Sequence, residues 1–453
     1  MILPPPTMAG VDSTLAYIDQ GSFLGLRALG RGPLAQYAWI YERPVDFDGL
    51  RRFHHNLGRG LLGRRIERSP LPFGRDHWVA WTGPADIDIA AAPRPRAEAL
   101  DWLDEQIRVP IDPEGGPSWR LAVQPFTEGG AVVTLIASHS ICDGLAITLA
   151  IKQAAGGETW DLGYPQPHAR TRGQALREDA AALVRAVPDF AKAIGAAVTL
   201  ARNSRDELTS SAGRSAPAPA EIDESRLVTV PALVAYIDED QWQQRMESLG
   251  GTSNSLFAGI AAKLGQEQGR VDDTGRVRLQ FPVSERTEGD TRANALTGMT
   301  VSIDPVNVTQ TLRDVRAELK KNLAALSESR FELLGPVALA PLIPPGLARR
   351  LEGMALGAGA PIGCSNLGKL DPAVNRPDGT DADHIVVRQL ESRITADILD
   401  RLGGTLFLAA GQVNGEVSLS VSAWRPGGPN SKDLLKASIG EVLDEFGLTA
   451  TIE

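Results

Sequence analysis

The run SHSICDG, residues 138–144, gathers the side chains of this sequence best suited to chemistry. His139 carries an imidazole that titrates near neutrality, so it can take up and return a proton at physiological pH. Asp143 follows it by four residues, and Gly144 supplies either a close backbone approach or an open N–H at a helix start. On these positions alone a structural His–Asp hydrogen bond is the competing reading. Cys142 invites a nucleophile with His139 as its base, against the plainer role of a small buried core residue, which also fits Cys364. A metal held by His139 and Asp143 lacks a third ligand. His54 and His55 are neighbours on one expected helix and therefore face different ways. In GCSNLG the glycine follows Ser365 by three residues instead of two, so the G-x-S-x-G elbow fails and a structural strand end is the better reading. No Walker loop or dinucleotide fingerprint occurs.

The elements that must position this run are readable from periodicity. The apolar runs WRLAVQPF and GAVVTLIAS flank the turn TEGG and predict paired strands, the second delivering the chain to SHSICDG. A helix then begins near Gly144. Upstream, a strand is expected over Leu34–Glu42, then a helix capped by Asp46 with Leu50, Phe53, Leu57 and Leu61 on one face, then a hairpin around GRDHWVAW. The Ala-rich stretch from Arg172 to Arg202 predicts a helix that packs or touches lipid, broken or kinked at Pro188. Residues 203–226 lose periodicity and gain Ser, Pro and charge, the composition of a linker. Beyond it, helices are expected through Leu256, Ile260 and Leu264, through Leu312, Val315, Leu319, Leu323 and Leu326, and through Leu435, Ile439, Val442 and Phe446. Strands are expected at RVRLQFPVS, MTVSID, GTLFLAAGQV and EVSLSVSAW, the last two joined by an Asn-Gly turn at Asn414. Arg313 to Lys321 reads as a solvated helix face, with a landing patch for coenzyme A or a carrier's phosphopantetheine as the alternative. Leu333 to Pro361 reads as buried connections between helices, with a gate or wall for an acyl chain, or a peripheral lipid contact, as the functional alternatives.

The 453 residues suit two or three domains. With 43% hydrophobic and 23% charged residues, the chain is neither wholly disordered nor fibrous. A formal charge of −10 disfavours broad binding to nucleic acid or an anionic bilayer. Two cysteines allow neither a disulfide framework nor a Cys-based zinc site. No signal peptide or spanning apolar run is read, so a cytoplasmic protein is expected, with peripheral membrane contact left open.

The segment PSWRLAVQPFTEGGAVVTLIASHSICDG resembles the central segment of the condensation-domain and wax ester synthase superfamily of acyltransferases, which includes chloramphenicol acetyltransferase and the mycobacterial polyketide-associated acyltransferases. There a Pro-x-Trp element precedes two strands that lead into HHxxxDG. Pro117, Ser118 and Trp119 match the first element; His139, Asp143 and Gly144 match the second, with Ser138 in place of the first His. FPVSERTEGDTRANALTGMTVSIDP is similar to the second-lobe segment through Arg286 and Asn294, and GCSNLGKL to the Ser-Asn-x-Gly segment through Ser365, Asn366 and Gly368.

The resemblance covers most of the chain and implies an α/β fold of two chloramphenicol acetyltransferase-like lobes, each a mixed sheet with packed helices, with a channel between them. Residues 1–202 would form the first lobe, 203–226 the linker and 227–453 the second. It further implies a thioester-dependent O-acyltransferase without cofactor or metal, using an acyl-CoA or acyl carrier protein donor and a hydroxyl acceptor. His139 would be the base, while Gly144 N–H and the side chain of Ser365 or Asn366 would face the oxyanion. Asp143 would turn away from the channel into a bidentate pair with Arg286, and Asn294 would support the motif. The alternatives are an amide-forming condensation enzyme and a non-catalytic carrier-protein or lipid binder; Ser138 favours the latter, and the retained His139, Asp143 and Gly144 oppose it.

Overall fold

The computed structural model describes residues 12–203, 224–349 and 361–453. The expected linker lies almost wholly outside these residues, as do residues 1–11 and most of the second half of the apolar stretch from Leu333 to Pro361.

Fourteen strands are described: β1 (Pro33–Tyr41), β2 (Arg64–Glu67), β3 (His77–Ala80), β4 (Asp88–Ile89), β5 (Trp119–Pro125), β6 (Ala131–Ser138), β7 (Ala232–Asp238), β8 (Val277–Ser284), β9 (Leu296–Ile303), β10 (Ile362–Lys369), β11 (His384–Glu391), β12 (Thr405–Val413), β13 (Glu416–Trp424) and β14 (Ala450–Ile452). One mixed sheet runs β11-β1-β6-β5-β4, and a second runs β14-β7-β13-β12-β10-β8-β9. The pair β2-β3 stands apart as a hairpin. Neither sheet closes into a barrel.

The first sheet carries the motif, and both of its faces are covered. Side chains alternate along β1: Tyr37, Trp39 and Tyr41 enter a core with the helices Phe47–Leu57 and Gly144–Ala155, while Ala38 and Ile40 enter the core that continues under the second sheet. β5 and β6 pair antiparallel across the expected turn, with Trp119 opposite Ala137. Asp46 caps the helix that follows β1 by accepting from the Asp48 N–H, as the sequence predicts. The Asn-Gly turn between β12 and β13 has positive φ at Asn414 and Gly415, 52° and 80°, the geometry of a tight hairpin.

The two halves are interlocked. β11 comes from the second half of the chain yet pairs antiparallel with β1 along its length, from Pro33 opposite Glu391 to Ile40 opposite His384. Trp39 Nε1 donates to the Val374 carbonyl at 2.8 Å, and Tyr236 stacks on His384 with ring centroids 4.4 Å apart. Local periodicity carries no signal for such long-range pairing.

Three expectations need correction. Pro188 does not break its helix, which runs from Arg172 to Asn203 as one element. Leu323 does not join the buried face of Leu312, Val315 and Leu326; it is 50% exposed on the helix Arg313–Leu334. Ser365 and Asn366 lie within β10 and not at its end.

Candidate active site

β6 ends at Ser138, and the chain turns through His139 to Cys142 before the helix Gly144–Ala155. Asp143 is that helix's N-cap: its Oδ1 accepts from the Ala146 N–H at 2.7 Å. This satisfies one of the four N–H groups that a helix start leaves without an intrahelical partner. Its Oδ2 accepts from Arg286 Nη2 at 2.9 Å and from the Ala295 N–H at 2.7 Å. The Asp143 N–H in turn donates to the Ala293 carbonyl at 2.9 Å. Both carboxylate oxygens are therefore engaged, Oδ1 by the helix that Asp143 caps and Oδ2 by residues 286–295, so the carboxylate serves the scaffold.

Arg286 and Asp143 are buried, with side chains 8% and 4% exposed. The pair is not bidentate. Only Nη2 reaches the carboxylate; Nη1 donates to the carbonyls of Asp290 and Arg292, both at 3.0 Å, and Nη2 also approaches the Ala293 carbonyl at 3.2 Å. Arg286 divides its donors because it organises its own loop as well as the motif.

Asn294 completes the clasp. Its Nδ2 donates to the His139 carbonyl at 3.2 Å and to Asp19 Oδ1 at 3.0 Å, and its own N–H donates to the same Asp19 oxygen at 2.8 Å. On the other flank, the fully buried Arg64 directs Nε and Nη2 to the Ile141 carbonyl at 3.2 and 2.8 Å, and Nη1 to the Thr291 carbonyl. Its guanidinium lies over the Trp78 ring, 4.7 Å from the centroid. Two elements distant in sequence thus hold the motif loop through main-chain carbonyls, in addition to the clasp on the Asp143 side chain.

Asp19 and Arg64 carry no periodic or motif signal. Each is a buried charge whose side-chain hydrogen-bond partners lie over 70 positions away. Burial raises the Asp19 carboxyl above the usual carboxylate range, with Arg64 and the Asn294 donors pulling the other way.

His139 retains some solvent access. Burial holds its imidazole below the ordinary histidine value, opposed by the Asp143 charge and by hydrogen bonding to its own main chain and to Asn294. That direction favours the neutral ring, the form that accepts a proton. Ser138, in the place of a first motif histidine, is buried and accepts from the Ser140 N–H at 3.3 Å. Cys142 is also buried, and burial pushes its thiol up to about 12. A reactive thiolate is scarce there at neutral pH. Burial likewise raises the Cys364 thiol. Among the described residues, no cluster of His, Cys, Asp or Glu is arranged to hold a metal ion, and no helix is long and apolar enough to cross a membrane.

β10 approaches the start of the Gly144 helix from the other half. A Cβ built on Gly144 would lie 3.5 Å from Leu367 Cδ2, an ordinary contact, so glycine is not required there by crowding. Ser365 alternates with the buried Cys364 and so faces away from the second core. Asn366 is engaged through one amide hydrogen and its carbonyl: its Nδ2 donates to Asn254 Oδ1 at 2.7 Å, and its Oδ1 accepts from the Gly368 N–H at 3.0 Å. The adjacent pair His54 and His55 separates as its helical spacing requires. His54 packs on Trp119, with centroids 5.3 Å apart, while His55 bonds Arg59 at the surface.

No family model matches the sequence, and no curated protein is significantly similar to it. Solved structures are. The first condensation domain of the CDA synthetase superposes with a TM-score of 0.57 at 13% identity, over 98% of this chain and 100% of that one. This is the condensation-domain fold. Polyketide synthase associated protein 5 from Mycobacterium tuberculosis shares it, with a TM-score of 0.52 at 16% identity over 96% and 98% of the two chains. The nonribosomal peptide synthetase FmoA3 has a region alike at a TM-score of 0.55 and 18% identity, covering 98% of this chain and 45% of that one. In the condensation-domain fold as this chain builds it, the turn after β6 is clasped between the two halves.

Proposed function

We propose that the chain is an acyltransferase that moves an acyl group from a CoA or carrier-protein thioester to a hydroxyl, with His139 as the base. The observation that carries this reading is the division of labour in the motif: both oxygens of Asp143 are engaged in holding the loop, while Asn294 holds the His139 carbonyl and burial favours the neutral form of the His139 ring.

In the proposed step the His139 ring takes the hydroxyl proton as the oxygen attacks the thioester carbonyl carbon. A C–O bond forms and a tetrahedral oxyanion develops. When the C–S bond breaks, the imidazolium returns the proton to the departing thiolate, so ester and free thiol leave and the enzyme is unchanged. The oxyanion needs donors already in place. The N–H of Gly144, at the first turn of its helix, and the side chain of Ser365 or Asn366 are the proposed donors; one of the two Asn366 amide hydrogens serves Asn254. No acyl-enzyme forms, and Cys142 takes no part. Neither cofactor nor metal enters the scheme; the thioester is a co-substrate.

An amine acceptor would use the same base, which keeps amide formation as the rival chemistry. The test is thiol release from a panel of acyl-CoAs and an acyl carrier protein, with alcohol and amine acceptors in parallel. Ester product with the alcohols supports the proposal. Turnover with amines alone favours amide formation, and binding without turnover favours a scaffold.

A further inference from the structure

Asp19 lies in the first turn of the helix Tyr17–Leu29 and is 0% exposed. Its Oδ1 accepts two hydrogen bonds from one residue, from the Asn294 main-chain N–H and from Asn294 Nδ2. The main-chain N–H can only donate, so the atom facing it is an acceptor, and the Asn294 side-chain atom that shares this acceptor must itself be a donor. This decides which way the Asn294 amide faces. Nδ2 carries two hydrogens, one for Asp19 and one for the His139 carbonyl. Turned over, the amide would set its own oxygen against both acceptors.

The carbonyl held in this way follows the His139 Cα, and the N–H that precedes that Cα donates to the Pro33 carbonyl at 3.1 Å. Both peptide units flanking His139 are therefore pinned, and with them the direction of its Cα–Cβ bond. Three residues beyond Asp19, on the same face of its helix, Ser22 Oγ lies 3.2 Å from Ser140 Oγ. The helix thus reaches the chain on both sides of the peptide that joins residues 139 and 140. Given His139 as the proposed base, on which this reading rests, we infer that Asp19 is a positioning residue: through Asn294 it fixes the direction in which His139 projects its ring. Misplacing a reacting group by about 1 Å can cost about 10²-fold in rate.

Kinetics and NMR on the full chain test this together. Asp19→Ala should lower kcat for ester formation about 10²-fold, with KM for the acyl-CoA donor little changed. Asp19→Asn keeps an oxygen for both Asn294 donors and loses only the charge on which Arg64 acts, so it should restore most of the rate even where its unfolding midpoint falls. In an Asn294→Ala background, where the amide is already gone, Asp19→Ala should reduce kcat no further. With histidine labelled by ¹⁵N, the His139 ring signals, assigned by their loss in His139→Ala, should move in Asp19→Ala and stay in place in Asp19→Asn. The ring signals need no turnover, so a wild type that transfers no acyl group removes the proposed function and leaves them to decide on Asp19. Full kcat and unmoved ring signals in a folded Asp19→Ala overturn the inference, while an inactive His139→Ala keeps the function. Asp19→Asn decides alone if Asp19→Ala does not fold: a retained rate with unmoved ring signals supports positioning through the acceptor, and a loss of about 10²-fold overturns it.

Discussion

Breaking the Asp143–Arg286 contact should cost stability far more than removing His139. In Asp143→Ala, the Arg286 guanidinium stays buried with only carbonyl acceptors, the Ala295 N–H loses its partner, and the Gly144 helix loses its cap. Removing one member of a buried ion pair costs about 3–5 kcal/mol. The single contact in place of a bidentate one argues for the lower end, about 3 kcal/mol, and the lost cap adds about 1 kcal/mol. Arg286→Ala leaves the carboxylate with two N–H donors but strands the carbonyls of Asp290, Arg292 and Ala293, so a loss of about 3 kcal/mol is again expected. The double substitution should cost far less than the sum, because the second change removes a contact already broken; a coupling of about 2 kcal/mol is within reach of a double-mutant cycle. Denaturant titration followed by fluorescence and circular dichroism gives the four midpoints, with His139→Ala near wild type as the reference. Losses that add to within about 0.5 kcal/mol would refute the reasoning, since independent sites behave that way.

The remaining predictions concern the chemistry. Because burial lowers the His139 value, kcat/KM should rise with pH through a limb centred below the ordinary histidine value of 6.5 and stay level above it; a limb above pH 7 in a pH-rate profile would contradict a neutral resting base. Cys142→Ser should keep its turnover, and mass spectrometry after incubation with donor alone should find no acyl adduct. A stable adduct on Cys142 would restore the covalent route.

Much of the site was legible because its parts are local. Two apolar runs around TEGG gave β5 and β6, and the motif follows β6 directly. Asp143 immediately before Gly144 also carried a cap signal, since an aspartate preceding an apolar helix start is the common arrangement; the structure adds this duty to its expected pairing with Arg286. The contact with Arg286 spans 143 positions, and it was visible only through the resemblance. Asp19 and Arg64 were not visible at all. Their role rests on carbonyls and amides brought together by the tertiary fold, and main-chain groups leave no mark on residue type. The exchange of β11 into the first sheet is hidden for the same reason: an apolar strand fits either sheet until its neighbours are known. Asn366 was legible as a residue type suited to an oxyanion, while its contacts to Asn254 and Gly368 were not.

The central claim is that the His139 ring moves the proton, and comparing His139→Ala with the wild type in a thiol-release assay with ester detection tests it most directly. The variant should fold with an unchanged denaturation midpoint and bind donor as before, while its rate of ester formation falls about 10²- to 10⁴-fold, the usual loss for a general base. Full turnover by a folded His139→Ala protein would contradict the account.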